Sequence, residues 1–449
     1  MNKLKSRTVS LLILCGLFVL LLFTFLFDYE QNGAKWASFP GNPHAYKDGV
    51  LAVGTVLDRN GVMLSTMEDG RRVYNDDKTV RKATLHVVGD TAGNIAPSAQ
   101  KFFAHRLMGY SMVNGVFSLH GDGDKVHLTV DSRLNVSAYQ ALDGRNGCVG
   151  VYDYNSGEIL CLVSSGGFDP ADPPSPDTAA EGVYINRFLS SAFTPGSIFK
   201  LVTLAAAIEN IDGLSERQFT CDGVLTIGDE KVTCSQKHGD LSIGRALSVS
   251  CNCVFGQLAM ELGADTLTRY AKQMGLLQPF SLDGYDTAAG SMAADDADPG
   301  QLAWSGIGQG QDLVNPCAML RLMGAIANHG RAVSPRLIGK TNALLGIPSL
   351  LRKIPHRHRL LATATADTLA RMMRDNVVNY YGQSNFGDLP VCAKSGTAEV
   401  GGASPHAWFV GFVADEAHPL AFVVLVENGG GGSAVAGKVA ATVLRAACQ

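Results

Sequence analysis

The sequence lacks several patterns that would assign it to common classes of function. Its 449 residues carry 37 Lys and Arg against 41 Asp and Glu. Without a basic surplus, nucleic acid is not a predicted partner. The ten cysteines include no Cys-x-x-Cys pair and the eleven histidines show no ligand spacing. A zinc ribbon, a thioredoxin motif and any other metal site are therefore not predicted.

Charged residues are also absent from positions 8–27, and this absence is informative. The run is long enough to cross a membrane as a helix. Basic residues such as Lys5 and Arg7 precede it and Asp28 follows it, so the positive-inside rule predicts residues 1–7 in the cytoplasm, with the chain beyond the helix on the outer face. A cleaved signal peptide is the alternative, but the run is longer than a usual signal and no Ala-x-Ala site closes it. We predict a single-pass anchor in the cell membrane.

The remaining chain divides by composition and pattern. We predict a linker over 28–47, a small domain over 48–124 and a larger domain over 125–449. An Asn-Gly turn between two short apolar runs at 54–64 predicts a hairpin near the start of the small domain. In the larger domain, strand patterns stand at both ends with helical patterns between them. This order predicts an α+β fold in which helices flank one central antiparallel sheet.

The stretch TPGSIFK at 194–200 opens an apolar run and contains the first candidate catalytic pair. We predict that Thr194 caps a helix and that Pro195 takes its first position, which places Ser197 in the first turn. The N–H of Ser197 could then donate to an oxyanion. Lys200, three residues later, would lie on the same helical face and could act as base if neutral. Alone, such a serine–lysine spacing is common by chance.

Two later motifs complete the candidate site. Ser250-Cys251-Asn252 separates two predicted helices, and Lys394-Ser395-Gly396-Thr397 lies in a predicted strand. In the predicted layout these segments could converge with Ser197 in one cleft. Helix capping by Ser250 and Asn252 is the structural alternative.

Two pairs of cysteines lie between residues 221 and 253. Cys221 and Cys234 flank a predicted strand pair, where a disulfide and two buried free thiols both fit the pattern. Cys251 and Cys253 flank Asn252, and we interpret them as small buried hydrophobes.

Together, the three motifs resemble the signature shared by penicillin-binding proteins and class A β-lactamases. The text around them, including FTPGSIFK, GIGQG and HAWFVG, is similar to the transpeptidase domain of class B penicillin-binding proteins from about residue 125 to the C terminus. The upstream region resembles a shortened form of that family's pedestal domain. Residues 58–61 (DRNG) match its opening motif, whereas Val53 stands where an arginine is common.

The resemblance implies a peptidoglycan D,D-transpeptidase that joins stem peptides ending in D-Ala-D-Ala through an acyl-enzyme on Ser197. β-Lactams would be covalent inhibitors. Lys200 would accept the Ser197 proton, kept neutral partly by Lys394, while Ser250 would relay a proton to the leaving amine. Asn252 would orient Lys200 and bind the substrate backbone.

The third motif is implied to bind substrate. Lys394, with the hydroxyl of Ser395 or Thr397, would hold the terminal carboxylate, and Gly396 would leave room for a substrate lying along the strand. The amide of Thr397 would join that of Ser197 in an oxyanion hole. The resemblance implies no metal and no cofactor, and a SEDS-family glycosyltransferase as a membrane partner.

Other functions share part of this pattern. A D,D-carboxypeptidase has every motif and stays an open alternative. A β-lactam sensor would need a cytoplasmic output domain, yet seven residues precede the apolar run. The intact serine–lysine pair argues against a non-catalytic scaffold, and the anchor and pedestal-like region argue against a β-lactamase.

Overall fold

The computed structural model describes residues 2–39, 41–43, 45–47, 50–111, 115–116, 123–175, 177–293, 298–341 and 356–449. The first helix, α1 (Asn2–Ala37), contains the segment Leu4–Tyr29, which is long and apolar enough to cross a membrane by length and composition. The helix is longer than the predicted span of 8–27 and continues to Ala37, since residues 28–37 contain no proline. The first half of the predicted linker is therefore helical.

A region of short elements follows α1. In chain order its elements are β1 (Tyr46–Lys47), β2 (Val50–Leu51), β3 (Thr55–Leu57), β4 (Met63–Glu68), β5 (Arg71–Tyr74), α2 (Lys78–Val88), α3 (Ala99–Phe102), α4 (Ala104–Leu107), β6 (Tyr110–Ser111), β7 (Gly115–Val116) and β8 (Lys125–Leu128). The predicted hairpin is present as the antiparallel pair β3–β4.

The elements that build the larger region run from residue 132 to residue 447. Its first half contains α5 (Ser132–Leu142), β9 (Gly147–Asp153), β10 (Ile159–Ser164), a 3₁₀ turn (Gly196–Ile198), α6 (Lys200–Asn210), β11 (Gln218–Cys221), β12 (Val224–Ile227), β13 (Glu230–Thr233), β14 (Gly239–Ser242), α7 (Ile243–Ser248), α8 (Asn252–Leu262) and α9 (Ala264–Gln273). Its second half contains β15 (Ser281–Leu282), β16 (Tyr285–Asp286), α10 (Pro299–Gly306), α11 (Pro316–Ala327), β17 (Arg331–Val333), β18 (Ile338–Thr341), β19 (Arg357–Arg359), α12 (Thr363–Asn376), a π turn (Val377–Tyr381), a 3₁₀ turn (Gln383–Phe386), β20 (Val391–Ala398), β21 (His406–Val413), β22 (Leu420–Val426) and α13 (Ala436–Ala447).

One five-stranded sheet organises the larger region. Its strand order is β10-β9-β22-β21-β20, and every neighbouring pair is antiparallel. The hairpin of β9 and β10 is at one edge, and β20, the strand that carries the third motif, is at the other. The predicted α+β fold with a central antiparallel sheet flanked by helices is confirmed.

Both faces of this sheet are covered, and the central strand β22 explains why. All seven of its residues are buried and apolar, and successive side chains point to opposite faces. Ala421, Val423 and Leu425 pack in the same core cluster as α6, α8 and α11. Phe422, Val424 and Val426 pack with α5 and α13 in a second cluster. The sheet is thus the middle of three layers, which fixes β20 against the helices that carry the other two motifs.

A second sheet joins the two regions. Its order is β18-β8-β3-β4-β5, with β3 and β8 parallel. The predicted boundary between residues 124 and 125 falls just before β8, which is itself a strand of this upstream sheet. Asp58 adds a further link, because its buried carboxylate accepts from the backbone N–H and hydroxyl of Ser132 at the start of α5. The division into domains stays a prediction.

Candidate active site

Ser197 lies in a tight turn that precedes the helix instead of in the helix itself. Residues Gly196–Ile198 form a 3₁₀ turn, and α6 begins at Lys200. The predicted cap at Thr194 and helical start at Pro195 were wrong, because Gly196 takes a left-handed conformation with φ of 54° and interrupts the chain there. The carbonyl of Thr194 instead accepts a hydrogen bond from the Trp408 indole at 2.9 Å. The turn is therefore fastened to β21.

Gly196 is required by both conformation and space. A Cβ at this position would lie 2.6 Å from the carbonyl oxygen of Thr397 on β20. Its own N–H donates to the carbonyl of Gly308 at 2.7 Å. The glycine-rich stretch around Gly308 thus supports the turn that carries Ser197, a role that sequence analysis did not find.

Lys200 is the centre of the candidate site. Its Nζ lies 3.1 Å from the Ser197 hydroxyl, 2.7 Å from the Asn252 side-chain oxygen, and 2.7 and 3.1 Å from the carbonyl and hydroxyl oxygens of Ser250. Because Ser197 and Lys200 flank the junction between the 3₁₀ turn and α6, both side chains face the end of α7, where Ser250 begins a sharp turn with φ of 56°. The first two motifs therefore meet.

Lys394 reaches the same group from the opposite side. Its Nζ donates to the Ser250 hydroxyl at 3.0 Å and to the Ser395 carbonyl at 2.8 Å. The Ser250 oxygen is thus shared by two lysine amines, both on side chains that are fully buried in the structure. All three motifs converge as the sequence analysis expected.

The other predicted substrate-binding residues are arranged differently along β20. Ser395 is half-buried, and its N–H and hydroxyl both contact the Tyr381 hydroxyl at 3.0 Å. Thr397 is exposed, and its hydroxyl accepts from the N–H of Gly432 at 3.2 Å. Tyr381 and Gly432 were not predicted from the sequence, because neither belongs to a motif and both reach the site only through tertiary packing.

Gly396 lies where β20 passes close to the turn that carries Ser197. A Cβ there would meet the Pro195 carbonyl at 2.9 Å and the Ile198 side chain at 3.0 Å. The glycine therefore allows β20 to approach the Ser197 turn. The role that the resemblance implied, clearance for a substrate lying along the strand, stays a prediction.

Comparison with known proteins places this arrangement in a family. The profile of the penicillin binding protein transpeptidase domain matches residues 147–448, two thirds of the chain. The chain belongs to this family. The D,D-transpeptidase PbpA of Mycolicibacterium smegmatis is 27% identical over 380 residues, which cover 76% of this chain and 75% of PbpA. The D,D-transpeptidase MrdA of Haemophilus influenzae is 26% identical over 371 residues, covering 72% of this chain and 56% of MrdA.

Solved structures of this penicillin-binding family share the fold. The D,D-transpeptidase domain of a peptidoglycan glycosyltransferase from Eggerthella lenta is 27% identical, with a TM-score of 0.76, and the match covers 88% of this chain and 97% of that one. The imipenem acyl-enzyme complex of penicillin-binding protein A from M. tuberculosis is 25% identical, with a TM-score of 0.74, and the match covers 88% and 99%. These matches include the upstream region as well as the transpeptidase domain.

Burial sets the protonation of the two lysines in this penicillin-binding protein. Loss of hydration lowers the pKa of Lys200 to about 7, although nearby cysteines act in the opposite direction. Burial, and secondly the charge of Lys200, hold the pKa of Lys394 well below its usual range. The two amines share one hydroxyl, so both shifts favour a site in which at least one of them is neutral near pH 7.

A paired substitution tests the close approach of the Ser197 turn to β20. We expect Gly213→Ala to cost about 1 kcal/mol of unfolding free energy, because Gly213 also has a positive φ, of 67°, but open space around its Cβ position. Gly196→Ala should cost on the order of 3 kcal/mol, since the methyl group must also displace the Thr397 carbonyl. The measurement is denaturant unfolding of the full chain in detergent. Equal losses would show that conformation alone, and not contact with β20, requires Gly196.

Proposed function

We propose that this protein is a peptidoglycan D,D-transpeptidase that joins stem peptides through an ester on Ser197 and is acylated by β-lactams at the same atom. The observation that carries the proposal is the buried Lys200 amine, 3.1 Å from the Ser197 hydroxyl. A serine becomes nucleophilic when a neutral base lies within hydrogen-bond reach. Membership in the transpeptidase family and the named activities of PbpA and MrdA support this assignment.

Acylation is the first half of the reaction. Ser197 Oγ attacks the carbonyl carbon between the two terminal D-alanines, and its proton passes to Lys200 Nζ. The C–N bond then breaks, and the leaving nitrogen takes a proton from Lys200 by way of the Ser250 hydroxyl, which lies 3.1 Å from that amine. Terminal D-alanine departs and the rest of the peptide remains as an ester on Ser197. Lys200 is neutral again.

Transfer is the second half. An amine from a neighbouring strand attacks the ester carbonyl, and its proton returns to Ser197 Oγ through Lys200 as the C–O bond breaks. In our proposal the N–H groups of Ser197 and Thr397 form the oxyanion hole for both tetrahedral intermediates. The contact between Gly196 and the Thr397 carbonyl supports this pairing, because it brings the two backbone segments together. One oxyanion donor is typically worth about 3 kcal/mol of transition-state stabilisation.

Asn252 is proposed to position the base. Its side-chain oxygen accepts from Lys200 at 2.7 Å, while its amide nitrogen donates to the Thr233 carbonyl at 2.7 Å. With its donor group already engaged, the side chain is held with the oxygen towards the amine. We propose this as its first role, with binding of the substrate backbone as a second.

Recognition of the terminal carboxylate is assigned to β20. The hydroxyl of Thr397 is exposed and that of Ser395 half-buried, so both can donate to an incoming carboxylate. Lys394 lies behind them, fully buried against Ser250. A bound carboxylate would raise its pKa, and we propose that Lys394 supplies charge attraction from this second layer.

We further propose that α1 anchors the protein in the cell membrane with its N terminus in the cytoplasm and its catalytic domain on the outer face. The basic residues before the apolar segment and the acidic residues after it support this orientation. A SEDS-family glycosyltransferase as membrane partner stays a prediction.

Substitution of the proposed nucleophile tests the acyl-enzyme. We expect Ser197→Ala to slow covalent labelling by fluorescent penicillin on the order of a thousandfold or more, because the bond-forming atom is removed. The exposed Ser433→Ala is the matched control and should label normally. Labelling is measured on gels of membranes that carry each full-length variant. Normal labelling of Ser197→Ala would remove Ser197 as nucleophile.

The pH dependence of acylation tests Lys200 as base. A base acts in its deprotonated form, so the rate of penicillin labelling should rise with pH through about 7 and level off above it. The second-order labelling rate is measured from pH 5.5 to 9, with thermal unfolding recorded over the same range to identify any loss of fold. A rate that is flat across this range, or falls as pH rises, would contradict a lysine base of lowered pKa.

A competition between acceptors separates transfer from hydrolysis. The protein is incubated with a stem pentapeptide and a D-amino acid other than alanine, and products are identified by mass. A transpeptidase should form the peptide that carries the new D-amino acid, because the acceptor amine competes with water for the ester. Tetrapeptide alone, at every acceptor concentration, would favour the D,D-carboxypeptidase alternative.

A further inference from the structure

A cluster of thiols and one imidazole lies directly behind the Ser250–Asn252 turn. Its members are contributed by four separate elements: Cys221 ends β11, Cys234 follows β13, His238 precedes β14, and Cys251 caps α8. One ligand atom from each residue lies within 4.8 Å of every other. All ten cysteines belong to the described part of the chain, and all ten are free thiols there.

The distances match a metal tetrahedron and not a disulfide. The Sγ atoms of Cys221 and Cys234 are 3.7 Å apart, as are those of Cys234 and Cys251, and Cys221 Sγ is 3.4 Å from His238 Nδ1. Tetrahedral zinc, with bonds of about 2.3 Å to sulfur and 2.0 Å to nitrogen, requires edges of about 3.8 Å between sulfurs and about 3.5 Å between sulfur and nitrogen. A disulfide would instead require about 2.05 Å.

From this geometry we propose that Cys221, Cys234, His238 and Cys251 bind one zinc ion. Three thiolates and one imidazole form a donor set that suits zinc, with four ligands and no open position, so the site is structural. On binding, the three thiols release their protons to solvent. This proposal revises the absence of metal that the sequence predicted.

The surroundings favour the thiolate form that a metal needs. The first two N–H groups of α8, from Asn252 and Cys253, donate to Cys234 Sγ at 3.1 and 3.3 Å. Hydrogen bonds from a helix N-terminus stabilise a negatively charged sulfur. Cys221 and Cys251 are fully buried, whereas Cys234 and His238 are half-buried, which leaves a path for the ion to enter.

The same contacts join the cluster to the catalytic site. Cys251 lies between Ser250, whose φ of 56° is unfavourable for a non-glycine residue, and Asn252, whose side chain binds Lys200. A metal that holds Cys251 and Cys234 would fix this turn in place. The four ligands are thus positioning residues for the base and do not touch the reacting atoms.

Metal content of the full-length protein in detergent is the first test. We expect purified wild type to hold about one zinc ion per chain by elemental mass spectrometry. Cys251→Ser and His238→Ala should each lose most of it. Cys253→Ser is the matched control and should keep it, because Cys253 is not one of the four residues whose ligand atoms all lie within 4.8 Å of one another. Absence of zinc from wild type, or equal loss from the control, would overturn the proposed site.

Two further measurements use the wild-type protein, so they do not depend on whether a variant folds. Protein grown with Co²⁺ in place of Zn²⁺ should show thiolate-to-cobalt charge-transfer absorption, and its absence would count against the site. Alkylation under denaturing conditions with a chelator should modify all ten cysteines, whereas eight modified thiols would indicate a disulfide and overturn the proposal.

The rate of penicillin labelling tests whether the metal and its ligands position the Ser250–Asn252 turn. Chelation of the metal should slow penicillin labelling about tenfold, and added Zn²⁺ should restore it in wild type but not in Cys251→Ser. Labelling that is unchanged in the metal-free protein would overturn the positioning role. Because zinc content is measured without any reaction at Ser197, failure of this proposal and failure of the proposed transpeptidase activity give different results.

Discussion

The arrangement of this protein depends on one buried amine. Lys200 is enclosed by the core of the larger region, where an unpaired ammonium would be costly, and its Nζ is surrounded by oxygens of Ser197, Ser250 and Asn252. Burial lowers the pKa of this amine, while nearby cysteines act in the opposite direction. The balance yields a group that can hold or release a proton near neutral pH, which an acyl transfer through serine requires.

The amine can be buried because three segments approach one another very closely. Gly196 and Gly396 allow the Ser197 turn and β20 to come within a distance that no side chain would permit. The three-layer packing around β22 supports that contact, since β20 is the edge strand of the same sheet. A loosening of the sheet would therefore disturb the close approach of β20 to the turn that carries Ser197.

Local patterns in the sequence predicted more of the fold than of the detailed site. Strand patterns were predicted at both ends of the larger domain, where β9, β10 and β20 to β22 lie, because such patterns follow directly from burial on a sheet. The Ser197–Lys200 pair was found from its local pattern, and the resemblance gave it a role together with the other two motifs. The left-handed conformation of Gly196, the contact of Tyr381 with Ser395 and the neighbours of Gly396 were not predicted, since each depends on tertiary packing between separate elements.

The four proposed zinc ligands also could not be predicted from the sequence. Their spacing, Cys-x₁₂-Cys-x₃-His-x₁₂-Cys, matches no common zinc motif, because the ligands come from four elements of a larger fold and not from one compact loop. The antiparallel pairing of Cys221 with Gly239 brings His238 beside Cys221, and packing of the start of α8 against Cys234 adds Cys251. A site assembled in this way can form only once β11, β14 and α8 have packed. Binding of the ion would therefore stabilise the folded conformation of the segment next to Ser250 and Asn252. Tighter metal binding would make the conformation of the Ser250–Asn252 turn more stable.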